Sequence, residues 1–410
     1  MPATESGPHA PAPVPLLRPA DGLPDVVADR AALDRTAESL AAGTGPLAVD
    51  AERASGFRYS QRAYLVQLRR EGSGTALIDP TPMGGDLSPL APALDGPEWV
   101  LHAASQDLPC LAEAGLRPAR LFDTELAGRL AGVPRVGLGP LVENLLGLAL
   151  EKGHGAADWS RRPLPEDWLV YAALDVEVLV ELRNVLADLL ERQGKLEWAL
   201  EEFEAVRTAG PPAPRAEPWR RTSGIHKIRK PRPLALVKGL WEARDTLAAE
   251  RDIAPGRVLP DAAIVEAAVA APENPHALAA LPVFRGRAQR RLTSYWFSAI
   301  SAASRLPNEE LPRPSPPNDG PPPVSRWADR DPDAAARLSA ARAALAGIGE
   351  RWTIPVENLL QPDLLRRLCW TPPEDGEVDA FLAAGGARSW QRTLLREPLE
   401  QALQSRATTT

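Results

Sequence analysis

Short apolar runs dominate the first half of the chain, and apolar residues at helical spacing dominate the second. Residues 47–50, 64–68, 76–78, 99–101 and 120–122 are largely apolar stretches of strand length, and they predict five strands. The second and third flank the segment RREGSG at 69–74, whose glycines suit a hairpin turn. Apolar residues then recur every three to four positions over 107–114, 125–131, 138–148 and a long stretch from 165 to 192, which predicts helices. A hairpin first and strand–helix alternation afterwards predict a mixed α/β sheet with helices on both sides.

Three stretches interrupt this pattern. Residues 1–30 are rich in proline and alanine without a sustained period and read as a disordered leader; they lack the basic start and apolar centre of a secretory signal. Residues 209–232 combine proline, arginine, glycine and serine and read as a basic linker. Residues 306–324 read as a proline-rich linker that should run extended. These breaks delimit an α/β unit over 31–208 and two all-helical units over 233–305 and 325–404. In the first helical unit Leu236, Leu240 and Leu247 share a helical face, and Asp261, just after Pro260, is placed to cap the next helix. The second unit repeats the plan: a long helix, an Ile354-Pro355 step that echoes Ile253-Ala254-Pro255, then a short helix. An internal duplication of a small helical domain is the expectation.

Composition narrows the function classes. The 410 residues are 44% hydrophobic, enough for more than one core. No apolar run approaches the roughly 18 residues a membrane span needs, so no membrane partner is expected. Cys110 and Cys369 fall in different units and show neither a disulfide framework nor zinc spacing, which points to a reducing cytoplasm. A net charge of −7 by itself disfavours a nucleic-acid ligand. The total hides a local excess. Between Arg215 and Arg232 seven lysines or arginines stand against the single Glu217, a stretch able to follow phosphates.

The candidate chemistry lies in four acids and one tyrosine. Asp50 and Glu52 end the first predicted strand, and residues two apart on a strand share a face. Tyr171 and Asp175, four apart in a helical pattern, also share a face. Asp107 opens the helix at 107–114. Convergence of these carboxylates would make a hard, oxygen-only pocket suited to two Mg²⁺ or Mn²⁺ ions. Paired ions of this kind suit in-line phosphodiester hydrolysis. In that reading Asp50 bridges the ions, Glu52 and Asp175 hold the one beside the attacking water, and Asp107 supports the other, directly or through water. Tyr171, with an ordinary pKa of about 10, is a poor base and is expected to orient the water. Taken singly these residues have plainer readings: solvated acids at a strand end for Asp50 and Glu52, a helix cap for Asp107. Asp123 is expected to cap a helix, His102 to be structural and His154 to sit in a loop. Trp159, Arg162 and Leu164 should pack the long helix against the sheet. Arg53, Arg58, Tyr59 and Arg62, in the loop after the first strand, are the expected contacts to terminal nucleotides, with Lys152 a further phosphate contact.

The segments VDAE at 49–52, HAASQDL at 102–108 and YAALDV at 171–176 resemble the three exonuclease motifs of ribonuclease D-type DEDD 3′–5′ exonucleases, in the subgroup with a tyrosine in the third motif. QRAYLVQL at 61–68, LFDTELAGRLAG at 121–132 and DWSRRPLPEDWLVYAALD at 158–175 extend the resemblance over about residues 45–200. PLALVKGLWEARDTLAAERDIAPGRVLPDAAIVEAA at 233–268 resembles the HRDC domain of helicases and ribonuclease D, and 325–404 a diverged second copy. The resemblance implies a ribonuclease H-like mixed sheet with flanking helices, followed by two HRDC-type helical bundles. It implies a metal-dependent 3′–5′ exoribonuclease releasing nucleoside 5′-monophosphates, with Asp50, Glu52, Asp107, Tyr171 and Asp175 catalytic. The implied substrate is the 3′ end of precursor tRNA or another structured RNA. Ala51 stands where the family usually has threonine, a position that does not ligate through its side chain, and Val170 disfavours the subgroup with histidine. Two other readings stand beside this one: a DNA 3′–5′ exonuclease, and a catalytically silent adaptor that binds nucleic acid. The sequence names no protein partner.

Overall fold

The computed structural model describes residues 12–151, 153–211, 213–315, 320–374 and 377–407. Its strands are β1 (Val14–Leu16), β2 (Val26–Val27), β3 (Thr44–Arg53), β4 (Ala63–Glu71), β5 (Gly74–Ile78), β6 (Glu98–Leu101), β7 (Arg120–Asp123) and β8 (Leu148–Leu150). Six of them form a mixed sheet in the order β2-β5-β4-β3-β6-β7, and β1 pairs with β8 apart from it. The β3–β4 and β4–β5 pairs are antiparallel; β2, β6 and β7 join parallel to their neighbours. β3 lies inside the sheet, and Leu47, Ala48 and Val49 are fully buried, as expected for a strand covered on both faces. Helices Glu166–Glu177 and Leu179–Arg192 both lie against β3.

All five predicted strands are present. The predicted helix at 138–148 ends earlier, at Leu146, because Gly147 adopts the left-handed region (φ 67) and Leu148 starts β8. The stretch from 165 to 192 divides at Val178 into two helices. The expectation of an unstructured leader through residue 30 fails for its described part, because β1 and β2 lie inside it. Strands of two or three residues carry no readable periodicity; they form by adding to edges that other segments provide. The linkers are packed too. Trp219 and Ile228, from the basic stretch, are buried in the core of the first helical unit, against which Leu306 and Leu311 also pack.

The two helical units share an order of elements. Helices Pro231–Arg251, Pro255–Val258 and Asp261–Ala270 are matched by Pro332–Trp352, Val356–Leu359 and Pro362–Trp370. Each long helix ends on a left-handed residue, Asp252 (φ 47) or Thr353 (φ 51). Their settings differ. The first unit has its own core around Leu240 and Trp296, whereas the second continues the core of the α/β unit. Trp198 stacks on Trp390 at 5.1 Å and meets Trp352 edge-on at 4.8 Å. Lys195, only 2% exposed, donates to the carbonyls of Leu130 at 2.7 Å and Trp352 at 2.5 Å. Those carbonyls end helices Thr124–Leu130 and Pro332–Trp352, where a cation is favoured.

This shared core predicts that Trp390→Ala, which empties the Trp198 stack, destabilises the α/β unit and the last helical unit together. A loss of about 3–5 kcal/mol is expected for a buried tryptophan. Denaturant unfolding followed by tryptophan fluorescence checks it; an unchanged midpoint would mean that the two units do not depend on one another.

Candidate active site

Strand alternation puts Asp50 and Glu52 on one face of β3, and the helix Glu166–Glu177, packed against that strand, carries Tyr171 and Asp175 to the same place. Carboxylate oxygens of Asp50, Glu52 and Asp175 lie within 4.8 Å of one another. Tyr171 lies beside Asp175 in the same cavity wall. Asp107 stands just before helix Leu108–Glu113 but makes no capping bond with its side chain. It is paired instead with Arg53 at 3.3 Å. All five residues line one cavity of about 450 Å³. Leu150, Glu151, Tyr171 and Asp175 also line a neighbouring cavity of about 570 Å³, together with Leu17, Arg18 and His154.

Asp123 shapes the approach to Asp107. Its carboxylate caps helix Thr124–Leu130 through the N–H groups of Glu125 and Leu126, and also accepts from Ala103 at 3.1 Å and Ala104 at 2.9 Å. Ala103 is left-handed (φ 55), so these two bonds hold a strained turn immediately before Asp107. His102 bonds Thr124 Oγ1 through Nδ1 at 2.9 Å, a structural contact, and burial lowers its pKa to about 4.

The electrostatics follow from burial of like charges. Burial pushes Glu52 up to about 10, with Asp50, Asp175 and Asp107 adding to the effect and Arg53 opposing it. Burial, then the charge of Asp50, takes Asp107 up to about 8 against the pull of Arg53. Asp50 and Asp175 are also raised, chiefly by burial. Tyr171 is raised by burial and then by Asp175, Glu52 and Asp50, so its phenol keeps its proton. The donor set is entirely carboxylate oxygen, short of positive charge, and fits a hard divalent cation. Opposite Asp50 on β4, the fully buried Gln67 has neither amide atom hydrogen-bonded within the protein.

The expected substrate contacts lie elsewhere. Arg58 donates to Ser160 Oγ at 2.8 Å, Tyr59 to Asp245 at 3.2 Å, and Arg62 faces Asp252 at 3.8 Å. Arg58 is therefore engaged inside the α/β unit, and Tyr59 and Arg62 with the first helical unit; their opposite charges or hydrogen-bonding partners lie within the protein. Of that group only Arg53 lines the acidic cavity. Lys152 lies outside the described residues. Trp159 is fully buried against Trp168, and Arg162 binds Asp79 and the Tyr64 carbonyl, so the expected packing of the long helix holds. Sequence reading passed over Gln67, whose place opposite Asp50 follows from hairpin register. It also assigned His154 only to a loop, whereas the ring meets Tyr171 edge-on at 5.7 Å.

Two acids from a strand, one from a later helix, a fourth in the same cavity wall and a tyrosine one helical turn before the last acid make an arrangement that fits a DEDD-type 3′–5′ exonuclease. Residues 24–191 match the 3′–5′ exonuclease family, 234–300 the HRDC domain and 320–403 the 3′ to 5′ exonuclease C-terminal domain. Ribonuclease D of Gluconacetobacter diazotrophicus is 34% identical over 285 residues, 68% of this chain and 71% of the relative. Ribonuclease D of Acidiphilium cryptum is 34% identical over 325 residues, 75% of this chain and 80% of the relative. Among solved structures, a protein from Bifidobacterium adolescentis is 40% identical with a TM-score of 0.90, covering 95% of this chain and 99% of that one. Escherichia coli RNase D, an exoribonuclease involved in structured RNA processing, is 26% identical with a TM-score of 0.67, covering 93% and 98%. The chain belongs to the ribonuclease D family and is a 3′–5′ exoribonuclease. Nucleic acid is its substrate, and its fold implies divalent metal. The last helical unit, expected as a second HRDC copy, matches a separate family from the first. No described helix is long and apolar enough to cross a membrane.

The raised carboxyls set a pH dependence. Groups held above their unfolded values stabilise the metal-free fold fully below about pH 4, the ordinary carboxylate range. That contribution is lost as pH rises towards about 8 for Asp107 and about 10 for Glu52. For these groups, then, metal-free protein is less stable at alkaline than at acid pH, and a bound cation restores the loss. Glu52→Gln should raise the metal-free Tm at alkaline pH and reduce the gain on adding Mn²⁺. Thermal melts in chelator and in Mn²⁺ test this; an equal Mn²⁺ gain in wild type and variant would contradict it.

Proposed function

We propose that the chain trims the 3′ end of precursor tRNA or another structured RNA, releasing nucleoside 5′-monophosphates with Mg²⁺ or Mn²⁺. The observation that carries this reading is the convergence of Asp50, Glu52 and Asp175 beside Tyr171 in one cavity. Asp50, Glu52 and Asp175 would hold the cations, with Asp107 contributing once it parts from Arg53. Bound cations would activate the attacking water and neutralise charge on the departing 3′ oxygen. Tyr171 orients the water rather than deprotonating it, a role supported by its upward-shifted phenol. Arg53, freed from Asp107, would meet a phosphate of the substrate. The cavity beside Tyr171 gives room for a terminal nucleotide. The exposed Lys227, Arg229 and Lys230 offer phosphate contacts away from the scissile bond. Two buried free cysteines suit the cytoplasm.

Three measurements test the reading. Asp50→Asn should cut the rate on a 3′-labelled RNA by several orders of magnitude while leaving RNA affinity nearly unchanged, since binding rests mainly on other surfaces. A rate within about threefold of wild type would remove Asp50 from the site. Tyr171→Phe should slow the reaction less than any ligand substitution, with metal affinity kept; identical kinetics would reduce the tyrosine to packing. Replacing Lys227, Arg229 and Lys230 by alanine should lower the slope of log affinity against log salt by roughly 2 on single-stranded RNA. An unchanged slope would take that segment off the RNA path. Matched DNA and RNA strands separate the deoxyribonuclease reading, because a 2′-hydroxyl contact makes the rates differ. Tight binding without cleavage of either would favour the adaptor.

A further inference from the structure

The loop 54–62 leaves β3 directly after Glu52 and Arg53 and returns as β4, and one corner of the HRDC unit grips it. The corner begins at Asp252, whose left-handed conformation (φ 47, ψ 49) ends helix Pro231–Arg251. Asp252 Oδ1 accepts the backbone N–H of Ser60 at 2.8 Å, and Oδ2 accepts the Tyr64 hydroxyl at 3.4 Å. Two residues on, the Ala254 N–H donates to the Phe57 carbonyl at 3.0 Å. Arg257 Nε donates to the Gly56 carbonyl at 2.8 Å, and its guanidinium sits 4.0 Å from the centre of the Phe57 ring. The loop is thus tied at its tip and at its return into β4. Burial pushes Asp252 up, yet the bonds from Ser60 and the charges of Arg62 and Arg58 keep its carboxyl below the usual range, consistent with a carboxylate that stays ionised in this contact.

What the grip controls follows from the register. Glu52 opposes Leu65 and Arg53 opposes Ala63, with a shift between them. Glu52 is therefore the last regular pair before an irregularity, and Tyr64, the residue skipped there, is the one Asp252 holds. A strand end next to a bulge lacks continuous ladder support, so its side-chain direction depends on what fixes the adjoining loop. We infer that Asp252 is a positioning residue for the cation site: through Ser60 and Tyr64 it fixes the irregular end of β3 and hence the direction of the Glu52 carboxylate. This inference rests on the reading of Asp50, Glu52 and Asp175 as cation ligands. It makes the HRDC unit part of the catalytic frame, in addition to any contact it makes with RNA.

The test uses the full chain. Mn²⁺ affinity is measured by calorimetry without RNA, and kcat and KM on a short single-stranded RNA. Asp252→Ala should weaken Mn²⁺ binding and lower kcat by about tenfold or more, the scale of a misplacement below 1 Å, with KM little changed. Asp252→Asn, which keeps an acceptor oxygen for the Ser60 N–H, should recover most of both losses. Wild-type Mn²⁺ affinity and kcat in Asp252→Ala would overturn the inference. So would a rise in KM alone, the mark of a domain that only tethers RNA. Should Asp252→Ala fail to fold, Arg257→Gln on the exposed side of the same contact carries the test: a smaller loss of the same kind supports the inference, and no change in Mn²⁺ affinity or kcat overturns it. An inactive wild-type chain would sink the exonuclease reading and leave the Mn²⁺ titration to decide the role of Asp252.

Discussion

Buried carboxylates that repel one another are the constraint around which this molecule is built. Each ion taken out of water costs several kcal/mol even after the protein relaxes, and Asp50, Glu52, Asp107 and Asp175 share one cavity. Their raised proton affinities are that cost expressed chemically. Such a cluster survives only if its backbone is held from outside. Strand β3 is flanked by β4 and β6, the helix bearing Asp175 packs on three strands, and the N–H groups of Ala103 and Ala104 on Asp123 hold the turn before Asp107. Among the described residues Arg53 is the one lysine or arginine in the cavity wall, and its pairing with Asp107 offsets part of the repulsion.

The same constraint explains why the chain is not a string of independent modules. The last helical unit continues the core of the α/β unit through Trp198, Trp352 and Trp390, and Lys195 joins two helix ends across that boundary. The HRDC unit keeps a separate core but reaches the loop beside Glu52. Both helical units therefore brace the catalytic sheet, one from its core and one from the rim of the site. A repeated order of helices has been put to two mechanical uses.

The tyrosine illustrates how environment selects a role. In water a phenol already holds its proton at neutral pH, and here burial and three carboxylates strengthen that hold. The group that results is a phenol that keeps its proton beside Asp175, which leaves it unsuited to taking a proton from water.

Local pattern carried much of this outcome in the sequence itself. Short apolar runs of strand length marked the five main strands, helical spacing marked most of the long helices, and a two-residue and a four-residue spacing placed two pairs of site residues on common faces. Asp123 was recognisable as a cap because capping is a contact between near neighbours. Tertiary structure decided the rest. Arg58, Tyr59 and Arg62 look like an RNA-binding loop by composition, yet Tyr59 finds Asp245, 186 positions away, and Arg58 finds Ser160, 102 away. Arg53 and Asp107, assigned from sequence to different partners, meet each other. Trp219 buries itself in a domain that the sequence placed beyond a linker, and β1 and β2 form only because β8 and β5 offer edges. Periodicity records which face of an element is apolar; it does not record which distant residue will satisfy a charge, a backbone N–H or an open strand edge. Those choices depend on three-dimensional proximity, which arises only when the whole chain has packed.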